Sequence, residues 1–159
     1  MRYSQNSVWE NKERETMKKE FIYKHLVQYY ETDKMAITHH SNYIRWMEEA
    51  RTDFMNQTGW DFVKIEETGV MSPVVGLSCK YKNPTTFSDV IEIHTRVKEI
   101  SGVRLVLEYE MYKQDGTLSF TGTSEHCFVN KEGKIVRVKR DFPEFYEMLS
   151  MLSKDVEDQ

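Results

Sequence analysis

The rhythm of apolar and polar positions changes along the chain and divides it into elements. Phe21 to Tyr30 is rich in aromatic and β-branched residues and predicts a strand. Glu31 to His40 is polar and irregular. Within Tyr43 to Gln57 the apolar residues Ile44, Met47, Ala50, Phe54 and Met55 recur at helical spacing, with Arg45, Glu49 and Asp53 on the other face. Ser41 or Asn42 is placed to cap this helix, and Gly59 to end it, because glycine accepts the left-handed conformation past a helix terminus. Strict alternation then takes over. Val75 to Tyr81, Ile91 to Lys98, Val103 to Met111 and Leu118 to Val129 read as strands, and Ile135 to Val138 as a short last one. Turns fall at Ser101-Gly102, Asp115-Gly116 and Lys131 to Lys134. Asp141 is expected to cap a final helix with Pro143 in its first turn and Phe145, Met148, Leu149 and Leu152 on one side.

The order is strand, long helix, antiparallel strands, short helix. One face of the sheet must be covered, and the long helix is the element able to cover it. The expected architecture is α+β: a curved antiparallel sheet wrapped around one long central helix, spanning residues 21–155. Residues 1–20 are polar and without apolar periodicity, and are expected to form a poorly ordered extension.

A length of 159 residues favours one domain with a real core. A net charge of −4 supplies no broad basic field, which argues against nucleic acid as a partner; a local cluster of Lys or Arg still suffices for a small phosphate ligand. Cys79 and Cys127 are far apart in strand patterns, so reduced thiols are expected rather than a disulfide framework or a zinc site. No apolar run reaches the ~20 residues of a membrane span, and the N-terminal stretch has no secretory pattern. A cytoplasmic protein is the expectation.

The segment Tyr29 to Tyr43, YYETDKMAITHHSNY, gathers two carboxylates, two histidines and three tyrosines at the entrance to a helix. A helix N-terminus presents free backbone N–H groups that can polarise a carbonyl oxygen. A nearby carboxylate can act as base or nucleophile. These are the parts acyl transfer needs. The plainer alternative makes Asp33 a turn residue bonded to its own backbone, and His39 and His40 solvated loop residues with diverging side chains.

Tyr29 to Arg51 resembles the signature of the 4-hydroxybenzoyl-CoA thioesterase and YbgC-like group of hotdog-fold thioesterases. The match rests on Thr32-Asp33, Ala36, His40, Asn42-Tyr43 and Glu48-Glu49-Ala50-Arg51, and continues more loosely through Asn83-Pro84 and Phe87-Ser88-Asp89 to about Arg140. The resemblance implies acyl-CoA thioester hydrolysis to a free acid and CoA. Asp33 would be nucleophile or general base. His40 would turn its backbone N–H toward the thioester oxygen, with its side chain assisting, and Tyr29 would lie near the acid. Asn42 and Tyr43 would support the site, as would Glu48, which the resemblance also suits to organising the site across a dimer. A homodimer, or a pair of dimers forming a homotetramer, is implied. Two departures stand out. The family usually has glycine at Ala36, where alanine resists positive φ, and Lys34 sets a positive charge beside Asp33.

The remaining candidates have no motif behind them. Lys134, Arg137, Lys139 and Arg140 could hold the CoA phosphates, although solvated positions explain them as well. No metal site and no cofactor beyond CoA, as part of the substrate, are expected. Met35, Met47, Met55 and Met71 are read mainly as filler, and His94 and His126 as surface or packing residues. Three other functions fit the same scaffold: hydrolysis of acyl groups on acyl carrier protein, non-catalytic acyl-group binding, and dehydration. The last fits least, because that group pairs its acid with a histidine five residues on and position 38 here is Thr.

Overall fold

A computed structural model describes residues 19–153; the proposed N-terminal extension lies almost wholly outside the described residues. Five antiparallel strands form one sheet: β1 (Phe21–Leu26), β2 (Val74–Tyr81), β3 (Val90–Ile100), β4 (Arg104–Tyr112) and β5 (Leu118–Cys127), in the order β1-β3-β4-β5-β2. The long helix α1 (Ser41–Thr58) packs on β1 and β3. Helices α2 (Phe62–Glu67), α3 (Val138–Asp141) and α4 (Pro143–Leu152) are short. This is the expected hotdog arrangement. Its core sets Trp46, Met47, Ala50 and Phe54 of α1 against Ile91, Ile93, Leu107, Tyr109, Met111 and Phe120 of the sheet.

The alternation of β3, with Ile91, Ile93, Thr95 and Val97 buried and their neighbours part-exposed, is the period-2 pattern made physical. Gly59 ends α1 at φ 80°, as expected. Four local readings are corrected. The first strand stops at Leu26 because the Glu31 carboxylate accepts the Gln28 N–H (2.8 Å) and turns Tyr29–Glu31 into a 3₁₀ turn. Neither Ser41 nor Asn42 caps α1 with its side chain; His40 is the cap residue, the Ser41 hydroxyl meets the His39 ring (2.8 Å), and the Asn42 amide bonds back to the Glu31 carbonyl (3.0 Å). The expected strand at Ile135 to Val138 is one bridge, Ile135 to Val129, after which the Val138 N–H donates to the Gly102 carbonyl (2.8 Å) and the chain enters α3. Asp141 closes α3 and pairs with Arg140, so Phe142 leads α4 instead. Helix α2 is too short for its periodicity to announce it; its signal is Asp61, whose side chain accepts the Lys64 N–H (2.8 Å).

Candidate active site

The polar segment before α1 folds into a tight loop fixed from both sides. Thr32 and Thr38 form an antiparallel bridge. Between them the Asp33 N–H donates to the Ile37 carbonyl (2.9 Å) and the Ala36 N–H to the Asp33 carbonyl (3.0 Å). Ala36 takes a φ of 60°, the left-handed value that glycine would adopt freely. The loop is tied to the segment after β2: Thr86 donates to the Ala36 carbonyl (2.7 Å), the Thr38 N–H donates to the Thr85 carbonyl (2.8 Å), and the Thr38 and Thr85 hydroxyls meet at 2.6 Å.

Asp33 commits one carboxylate oxygen to this turn, accepting the Met35 N–H at 2.8 Å. The turn-residue reading is therefore partly right. The other oxygen has no protein partner among the described residues, and Asp33 lines a cleft of about 370 Å³. Met35, Ile37, Thr38, His40, Tyr43 and Tyr81 to Pro84 complete its wall. His40 sits where α1 begins, and its carbonyl accepts the Tyr81 hydroxyl (3.1 Å). Its N–H takes no part in the backbone bonds that tie down Asp33, Ala36, Thr38 and His39. The His39 and His40 rings do not diverge; their centroids are 4.2 Å apart. Tyr43 is buried against Phe120, with its hydroxyl 3.0 Å from the Thr85 hydroxyl, and burial pushes its pKa up. It is a neutral hydroxyl in the floor of the cleft.

The other candidates scatter. Tyr29 is 77% exposed and packs on Phe87 rather than lining the Asp33 cleft. Asn42 supports the site through the Glu31 and His39 carbonyls (3.0 and 3.3 Å). Glu48 lies in a second cleft, of about 500 Å³, with Arg51, Met71 and Ser72; Arg51 donates to its two carboxylate oxygens at 2.9 and 3.2 Å. Met35 and Met71 each line a cleft, whereas Met47 and Met55 are core. Arg137, Lys139 and Arg140 line a third cleft with Gly102 and Val103. That cleft sits by the β3–β4 turn, and Lys134 lies in the turn that precedes it in sequence. Asp33 sits at the other end of the sheet, by Tyr81, Phe120 and the start of β3. The 11 residues of β3 separate the ends by about 30 Å.

Two groups take places that sequence reasoning left open. His126 is fully buried on β5, its ring meeting the Ser124 hydroxyl (2.7 Å) and the Ser72 carbonyl (3.3 Å); burial, and then the Arg51 charge, pull its pKa down to about 4. Glu31 is buried at 5% exposure beneath the Asp33 loop. Its adjacency to Thr32-Asp33 is visible in the chain, but the partners that bury it come from β1 and α1.

Comparison with known proteins agrees with this fold. The sequence profile of the thioesterase-like superfamily matches residues 27–150. A protein of Aquifex aeolicus provisionally named an esterase is 38% identical over 121 residues, 76% of this chain and 93% of its own length. YneP of Bacillus subtilis, provisionally named an acyl-CoA thioesterase, is 36% identical over 121 residues, 76% of this chain and 88% of its own. The crystal structure of the DHNA-CoA thioesterase of Staphylococcus aureus superposes with a TM-score of 0.79 at 32% identity, covering 82% of this chain and 89% of that one.

Proposed function

Because this chain belongs to the thioesterase-like superfamily, we propose that it cleaves acyl-CoA to a free carboxylic acid and CoA, with Asp33 as nucleophile or general base. The observation that carries this reading is that Asp33, with one carboxylate oxygen free of protein partners among the described residues, lines the same cleft as His40 at the start of α1. The thioester carbonyl oxygen would rest on the His40 N–H, where the helix dipole and the unpaired donor favour developing negative charge. Asp33 would either attack the carbonyl carbon, expelling the CoA thiolate and forming an anhydride that water then cleaves to the free acid and the regenerated carboxylate, or take a proton from a water that attacks the carbon as the thiolate leaves.

The same reading includes a second copy of the chain. Strand β2 ends the sheet with unpaired backbone groups and exposes Val75 (60%) and Leu77 (45%). Two-fold pairing of β2 edges would continue the sheet and set the Tyr81 end of one copy beside the Val74 end of the other. The second cleft, with Glu48 and Ser72, would then adjoin the other copy's Asp33 cleft, giving Glu48 a role across the dimer. Lys134, Arg137, Lys139 and Arg140 would come to the end where the other copy's Asp33 lies, within reach of CoA phosphates.

The decisive experiment is thiol release from a panel of short, long and aromatic acyl-CoAs and an acyl carrier protein, by the wild type and Asp33→Asn. Turnover of acyl-CoA by the wild type, falling by about 10² or more in a folded variant, is expected. Near-normal hydrolysis by Asp33→Asn would remove Asp33 from the mechanism.

A further inference from the structure

We propose that Glu31, fastened by His25 and Trp46, is the positioning residue that holds Asp33 and the start of α1 in register for catalysis. This inference rests on the reading of Asp33 given above.

Glu31 is two residues before Asp33, and its carboxylate is fully occupied by three elements. One oxygen accepts the Gln28 N–H at 2.8 Å and meets the His25 ring at 2.7 Å. The other accepts the Trp46 indole N–H at 2.6 Å. Burial alone would raise its pKa, but these donors prevail and hold it below the usual carboxylate range. The charged form is the one the structure is built around.

The main chain of the same residue holds the other half of the site. The Glu31 carbonyl accepts the His39 N–H (2.8 Å) and the Asn42 amide (3.0 Å). One residue thus grips both ends of the segment that carries Asp33 and His40. Its side chain anchors the entrance to β1 and to the core face of α1, and its carbonyl anchors the exit. The spacing between the acid and the helix-start N–H therefore depends on where Glu31 sits.

His25 extends the anchor. Its second ring nitrogen lies 2.8 Å from Glu49 of α1, an oxygen that Tyr23 also reaches at 3.2 Å. Its ring packs on Trp46 with centroids 4.7 Å apart. Through its two ring nitrogens His25 bridges Glu31 and Glu49 and ties β1 to α1. None of His25, Glu31 or Trp46 lines the Asp33 cleft, so their effect on the reaction must pass through position.

The substitution Glu31→Gln keeps the shape but turns an amide NH₂ toward a donor, either the indole or the imidazole. The expected result is a fall in kcat of about 10- to 100-fold with KM nearly unchanged, the loss typical of reacting groups moved by about 1 Å. His25→Gln, which leaves the Trp46 and Gln28 contacts in place, is expected to lower kcat less. Circular dichroism and thermal melting check that each variant is folded; if Glu31→Gln is not, His25→Gln decides. Both are also made in the Asp33→Asn background. Residues that act through Asp33 give a combined loss smaller than the product of the single losses. Wild-type kcat in the folded variants would overturn the proposal, as would losses that multiply in full with that of Asp33→Asn. If Asp33→Asn alone hydrolyses normally, the reading of the site fails first; if it is inactive while the Glu31 and His25 variants turn over normally, only the positioning role fails.

Discussion

Ala36 shows how one residue records a compromise. Its φ of 60° puts an alanine in the left-handed region, in the turn that orients Asp33. That conformation costs a Cβ-bearing residue about 1–2 kcal/mol, while the larger unfolded-state entropy of glycine offsets part of the gain. Ala36→Gly is therefore expected to stabilise the protein by about 0.5–1 kcal/mol, seen as a Tm increase of about 1–4 °C in a thermal melt. A lower Tm would mean that the alanine makes contacts that outweigh its strain. One Asp33 oxygen builds the turn, and the other has no protein partner among the described residues. The turn reading and the catalytic reading are compatible, because a carboxylate has two oxygens.

At the scale of elements, the inner face of β5 holds a polar rung where an apolar one would be expected. Tyr109 of β4, Ser124 and His126 are linked at 2.8 and 2.7 Å and end at Arg51 of α1. His126 illustrates the consequence for stability. Its folded pKa of about 4 lies below the ordinary 6.5, so between these values the unfolded chain binds a proton that the folded chain does not. Stability from this group is fully present above about pH 6.5, declines as pH falls toward 4, and is constant below. The decline amounts to at most about 3 kcal/mol. Urea midpoints measured from pH 7.5 to 4 are expected to fall, and His126→Gln to flatten that slope; an unchanged slope would show that other groups cause the loss. The Ile135 segment ends where the Val138 N–H reaches the carbonyl of Gly102, far away in the chain, whereas β1 ends in a local turn in which the Glu31 carboxylate accepts the Gln28 N–H.

At the scale of the whole molecule, the sheet has two edges, β1 and β2. Strand order, which no periodicity reveals, sets this. The apolar face of β2 then makes a direct prediction: Leu77→Lys places a charge on the proposed pairing edge and should shift the protein toward monomer in sedimentation velocity while leaving its circular dichroism unchanged. A monomeric wild type would remove the paired-edge arrangement and, with it, the cross-dimer roles of Glu48 and the basic cluster. No helix among the described residues is long and apolar enough to cross a membrane.

The long helix, the five main strands and the segment that carries Asp33 and His40 are all legible in the linear chain. They follow from periods of 3.6 and 2 and from chemistry packed into fifteen consecutive residues. Which of the surrounding residues touch that segment is visible in three dimensions alone. Tyr29, four residues from Asp33, packs on Phe87, while His25 and Trp46, more distant in sequence, meet at Glu31. Sequence proximity dictates neither side-chain direction nor strand order, because both are set by long-range packing of β1 and α1 on one sheet. Asp33 could be found from its neighbours in the chain; the contacts that fasten Glu31 to β1 and α1 could be found only from neighbours in space.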